Sequence, residues 1–134
     1  MGSAGAVSPI HRDLAHNLAV HVFGSKRWRI FSPDQAELLY PTLGPEDGPS
    51  AQTCRMDVEA PDLQQFPRYA QARPIDLVVK AGEILYVPSG WFHHVNALDL
   101  CLNVAYSLKW ERGRPGEIKV DRPLIDLTAG EEDA

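Results

Sequence analysis

Gly82-Glu83-Ile84-Leu85-Tyr86-Val87-Pro88-Ser89-Gly90-Trp91-Phe92-His93-His94-Val95 is the stretch that decides the fold. Ile84 to Val87 is a short apolar run of β-forming residues, stopped by Pro88-Ser89-Gly90. Trp91 to Ala97 resumes as a second strand. Upstream, Ile75 to Val79 reads as a strand that Ala81-Gly82-Glu83 turns into Ile84. Downstream, a tight turn at Leu98-Asp99 leads into a strand from Leu100 to Leu108. Nearer the start, Leu18 to Phe23 and Lys26 to Phe31 read as a β-hairpin closed by Gly24-Ser25. Several short strands with turn residues between them predict an all-β barrel or sandwich.

Helical signals are few. Ser32-Pro33-Asp34-Gln35 opens a short helix through Leu39 or Tyr40, with Ser32 as N-cap and Pro33 at the first helical position. Residues 41–60, with Gly44, Pro45, Gly48 and Pro49, read as a long loop of the kind that carries function. Pro61 to Ala70 reads as a helical turn interrupted by Pro67. Residues 1–110 are expected to form one core, and the charged, Gly/Pro-rich residues 111–134 a largely solvated tail.

Composition narrows the class. A chain of 134 residues, 44% hydrophobic and 23% charged, suits one globular domain. A net charge of −5 argues against a surface built for phosphate backbones, so no direct nucleic-acid contact is expected. No apolar run reaches the roughly 18 residues of a membrane span. Met1 to Val7 lacks the basic and apolar regions of a signal peptide, so the expected setting is cytoplasmic or nuclear rather than secreted. Cys54 and Cys101 form neither a disulfide framework nor a zinc spacing.

The chemistry is carried by His11-Arg12-Asp13 together with His93. Side chains two apart on an extended segment share a face, so His11 and Asp13 can bind one metal while Arg12 points away. A third donor must come from a strand distant in sequence and adjacent in the sheet. Two histidines and one carboxylate on one face of a metal are the ligand set of non-haem Fe(II) oxygenases. An H-x-D tripeptide alone arises often by chance, and His93 and His94 compete, because neighbouring strand residues face opposite ways.

The surroundings resemble a known family. Ser8-Pro9-Ile10-His11-Arg12-Asp13, Asn17-Leu18-Ala19-Val20, Gly24-Ser25-Lys26-Arg27-Trp28-Arg29 and Gly82 to Pro88 running into Trp91-Phe92-His93 are similar, in order and spacing, to JmjC-domain hydroxylases. The resemblance covers roughly residues 2–108. It implies a double-stranded β-helix, a jelly-roll or cupin-like barrel with short helical insertions. It further implies Fe(II) as cofactor, 2-oxoglutarate as cosubstrate, O2, and hydroxylation of a C–H bond on a protein side chain. Histone demethylation is the weaker expectation, since no chromatin-reading feature is present.

Residue by residue, the resemblance makes His11, Asp13 and His93 the iron ligands. His93 is selected because the family places its ligand directly after two aromatic residues. Lys26 matches the lysine that pairs with the distal carboxylate of 2-oxoglutarate, Ser8 a hydroxyl that helps to hold it, and Asn17 an amide near the chelating end. Physical reasoning agrees for Lys26, since a buried dicarboxylate needs a cation at its far end. His21 stands where relatives often carry glutamine and reads as barrel-lining or core. His94 would be a surface or supporting residue, and Trp28, Trp91 and Phe92 packing residues first, although an aromatic near the iron could also shape the substrate pocket.

Two features depart from the pattern. Asn103 and Tyr106 lie on the last barrel strand, but Ala105 lacks the polar group that relatives carry nearby. Relatives also have a substantial segment before H-x-D that supplies early strands, whereas His11 stands near the start here. A fragment of a longer protein, a homodimer that completes the fold and a compact version all fit that fact. The competing functions are a metal-dependent cupin enzyme of another class and a non-catalytic binding module.

Overall fold

A computed structural model describes residues 4–5, 7–42, 51–109 and 119–125. The strands are β1 (Val7–Asp13), β2 (His16–Phe23), β3 (Ser25–Phe31), β4 (Ala51–Thr53), β5 (Ile75–Lys80), β6 (Ile84–Val87), β7 (Phe92–Ala97), β8 (Leu102–Lys109) and β9 (Lys119–Ile125). They build two antiparallel sheets, ordered β4-β1-β7-β3-β5 and β6-β2-β8-β9. This is the expected all-β jelly roll.

Alternation within each strand sorts residues between two apolar clusters. Between the sheets lie Ala19, Trp28, Val79, Val87 and Val95. On the outer face of the first sheet Ile10, Phe31, Leu39, Met56, Val58 and Phe92 pack beneath the connecting segments. Strand β7 serves both: Phe92 turns outward, Val95 inward, and His93 and His94 fall on opposite faces between them.

Gly24-Ser25 does not close a hairpin. β2 pairs with β6 and β8, whereas β3 pairs with β5 and β7, so the chain steps from one sheet to the other at Gly24. Gly24 has φ +71°, and a Cβ there would collide with the Leu100 carbonyl oxygen. Asp99 secures the corner, accepting the Ser25 amide at 2.7 Å and the Ser25 hydroxyl at 3.2 Å. Two strands joined by a short glycine turn look alike in sequence whether they pair or part.

The expected helices are single 3-10 turns, Pro33–Leu38 and Pro67–Gln71. Ser32 precedes the first, but its side chain caps nothing and accepts the Gln35 side-chain amide at 3.0 Å. Pro67 opens the second turn rather than interrupting it. Within 41–60, Ala51–Thr53 pairs with β1 as an edge strand, and 43–50 lie outside the described residues. Of the expected tail, Lys119–Ile125 adds β9 to the edge of β8, and the remainder lies outside the described residues. β9 contains Pro123, which falls where the β8–β9 register shifts between Ala105 and Ser107, a bulge position that admits proline.

Candidate metal centre and its cavity

β1 and β7 are neighbours in the first sheet, with His11 directly opposite His93. Strand alternation puts Asp13 on the same face as His11. Asp13 Oδ2 lies 3.6 Å from His11 Nε2 and 3.7 Å from His93 Nε2. One ligand atom from each residue falls within 4.8 Å of the others, the only such group of three among the described residues.

The donor set suits a divalent cation. His11 Nδ1 lies 2.8 Å from the Pro9 carbonyl oxygen, and His93 Nδ1 lies 3.3 Å from that of Trp91. Each carbonyl can only accept, so each Nδ1 carries a proton, and Nε2 is the ring nitrogen that faces Asp13. Histidine metal ligands are oriented in this way by their second nitrogen. Burial, and then the nearby His11, lower the His93 pKa to about 3, so its ring stays neutral at ordinary pH. The side chains of His11 and Asp13 are 28% and 30% exposed against 7% for His93, which leaves one flank of the centre open.

Two contacts hold Asp13. The Gly90 amide donates to its backbone carbonyl at 2.8 Å, tying the end of β1 to the turn before β7. The Asn17 side-chain amide donates to Asp13 Oδ2 at 3.1 Å.

The centre opens into a cavity of about 330 Å³ between the sheets. Ser8, Asn17 and Lys26 all line it, with Ala19, Val87 and Val95 as apolar wall. All six residues singled out in the sequence therefore meet around one space. Lys26 is only 5% exposed; it enters from β3, where it pairs with Val79 and Ala97.

The other histidines lie elsewhere. His94 is buried on the outer face of the first sheet, with Nδ1 3.6 Å from Glu59 Oε1. Burial lowers its pKa, against the raising influence of Glu59 and Asp57. His16 accepts the Tyr86 hydroxyl at 2.6 Å and the Ser89 amide at 3.2 Å. His21 is buried between the sheets beside Trp28, with ring centroids 5.9 Å apart. Burial is the main cause of its lowered pKa, followed by the charge of Lys26.

Three features escape the sequence reading. Trp28, expected first of all to pack, lines the cavity and stands 5.8 Å from the His93 ring. Asn103 faces the same cavity beside Ala105. Both follow from alternation, two residues beyond Lys26 and two before Ala105. The Asn17–Asp13 contact had no sequence signal, because it depends on the bend between β1 and β2.

A family model described as a cupin-like domain matches residues 1–112. Lysine-specific demethylase 8 of Xenopus tropicalis is 36% identical over 105 residues, 78% of this chain and 23% of that protein. JmjC domain-containing protein D of Dictyostelium discoideum is 36% identical over 104 residues, 78% of this chain and 23% of its own length. The chain thus spans about a quarter of the curated relatives it matches. Hydroquinone 1,2-dioxygenase from Sphingomonas sp. TTNP3 shares the fold, with TM-score 0.51 at 12% identity, over 81% of this chain and 56% of that one. No helix among the described residues is long and apolar enough to cross a membrane.

Proposed function

This chain belongs to the cupin-like domain family in its JmjC form, and on that footing we propose that it is an Fe(II)- and 2-oxoglutarate-dependent oxygenase that hydroxylates a protein side chain. The observation that carries the reading is the convergence of His11, Asp13 and His93 at the mouth of a cavity that also contains Lys26. His11, Asp13 and His93 would hold the iron. Bound there with 2-oxoglutarate, the metal would supply O2 activation coupled to decarboxylation of the 2-oxoacid, with succinate, carbon dioxide and a hydroxylated product as the outcome.

The residues divide the remaining work. Two neutral imidazoles and one carboxylate leave a divalent ion with net positive charge, which favours an anionic chelator. Lys26, buried at the cavity wall, would pair with the distal carboxylate, and a charge-assisted bond in such a site is about twice as strong as a neutral one. The Ser8 hydroxyl and the Asn17 amide would add hydrogen bonds. Ala19, Val87 and Val95 restrict water around the reacting centre. The exposed flank beside His11 and Asp13 is where a side chain of a protein substrate would enter. The Xenopus relative is named a lysine-specific demethylase; the reaction proposed for this chain is hydroxylation of a protein side chain.

The test is anaerobic titration of the Fe(II)-loaded protein with 2-oxoglutarate, followed by addition of O2. A weak visible charge-transfer band and succinate release on oxygenation support the reading. Absence of both from metal-loaded, folded protein rejects it.

A further inference from the structure

We propose that Asn17 is a positioning residue for the metal centre, selecting through Asp13 which carboxylate oxygen faces the two histidines. The inference rests on the metal reading above and adds a role that the resemblance, which puts Asn17 on the cosubstrate, does not contain.

The geometry singles out one atom. Asp13 Oδ2 faces His11 Nε2 and His93 Nε2, and the same Oδ2 receives the Asn17 amide at 3.1 Å. The direction of that bond is dictated by chemistry: an ionised carboxylate has only acceptors, so it must be the Nδ2 end of Asn17 that meets it. An oxygen with two lone pairs can accept one N–H and still serve a cation with the other. A carboxylate at a strand end otherwise rotates about its terminal bond, a broad torsion with little preference. Asn17 removes that freedom from the side, while Gly90 fixes the backbone of the same residue from behind.

The position of Asn17 suits a holder rather than a mobile contact. It sits inside β2, paired with Val87 of β6 on one side and Ser107 of β8 on the other, so its backbone cannot drift. Asp13 is the last residue of β1 and its side chain is 30% exposed, so it is the donor with most to gain. His11 and His93 are already turned by their own strand carbonyls. Asn17 gives the third donor the equivalent constraint.

The experiment uses Mn(II) alone, without cosubstrate or oxygen, and follows the free ion by electron paramagnetic resonance. Asn17→Ala should weaken Mn(II) binding about 10- to 100-fold, the usual effect of losing a partner of a metal ligand. With Mn(II) saturating, 2-oxoglutarate affinity should fall less in Asn17→Ala than Mn(II) affinity does. That split separates positioning from general loosening, and circular dichroism checks that the variant is folded. Should Asn17→Ala not fold, Asn17→Ser, whose hydroxyl stops one bond short of where the Asn17 amide nitrogen meets Asp13, gives the same readout. Wild-type protein that binds Mn(II) with variants unchanged overturns this inference alone. Wild-type protein that binds no Mn(II) overturns the oxygenase reading and the inference with it.

Discussion

His11 and His93 face each other across the β1–β7 pair, their ring centroids 4.2 Å apart, with Asp13 Oδ2 between their Nε2 atoms. Residues far apart in the chain thus come together as one group because two strands share a hydrogen-bond ladder. His94, next in the chain, is on the other side of that ladder beside Glu59. His93→Gln is therefore expected to weaken Mn(II) binding at least about 100-fold, since a ligand is lost outright. His94→Gln is expected to leave Mn(II) affinity nearly unchanged and to cost about 1 kcal/mol of stability. Calorimetric titration of both variants decides; the reverse order would make His94 the ligand.

Lys26 is the basic side chain lining the cavity among the described residues, and under the proposed function its loss should be felt by the dicarboxylate rather than by the metal. A charge-assisted hydrogen bond contributes about 1.5–3 kcal/mol, so Lys26→Ala should raise the 2-oxoglutarate requirement roughly 10- to 100-fold. Succinate formation across a cosubstrate series measures this. An unchanged requirement would show that another group holds the distal carboxylate.

Acid should destabilise the metal-free protein through its buried histidines. Burial, and then the charge of His11, hold the folded-state pKa of His93 at about 3, below the ordinary 6.5. Between those values the unfolded chain binds a proton that the folded chain refuses, so stability rises with pH. The contribution of His93 is complete above about pH 6.5 and is lost progressively as pH falls toward 3. At about 1.36 kcal/mol per pH unit, acidification from 6.5 to 5 costs up to about 2 kcal/mol from this residue. His21 and His94, also lowered chiefly by burial, act in the same direction. Melting in the presence of a chelator at pH 7, 6 and 5 should show a falling Tm; a flat series would mean that His93 is hydrated in solution.

The corner at Gly24 should tolerate no side chain. Its positive φ disfavours any L-residue, and an added Cβ meets the Leu100 carbonyl oxygen. Gly24→Ala is expected to cost about 2 kcal/mol or more, because backbone must move to admit the methyl group. Urea unfolding measures it. A neutral substitution would show that the step between the sheets is less constrained than its geometry implies.

Local periodicity made much of this protein legible. Ile84–Val87 was bounded correctly because Pro88 and Gly82 punctuate it on either side. His11 and Asp13 could be put on one face because alternation is a property of the extended backbone itself. Gly24 misled because a glycine turn permits pairing without requiring it. The β9 segment misled because charge and proline describe an edge strand as well as a solvated one.

The chain by itself determined where β2, β3 and β5 to β8 lie, which residues share a face, and that two histidines, a carboxylate and a lysine stand in the order of one family. Those properties are set within a few residues by backbone geometry and side-chain type. Only the tertiary structure decided that β2 and β3 part into different sheets and that Asn17 reaches Asp13. Each of these depends on strand register and sheet curvature, which arise from packing across the whole molecule and leave no local trace in the order of residues.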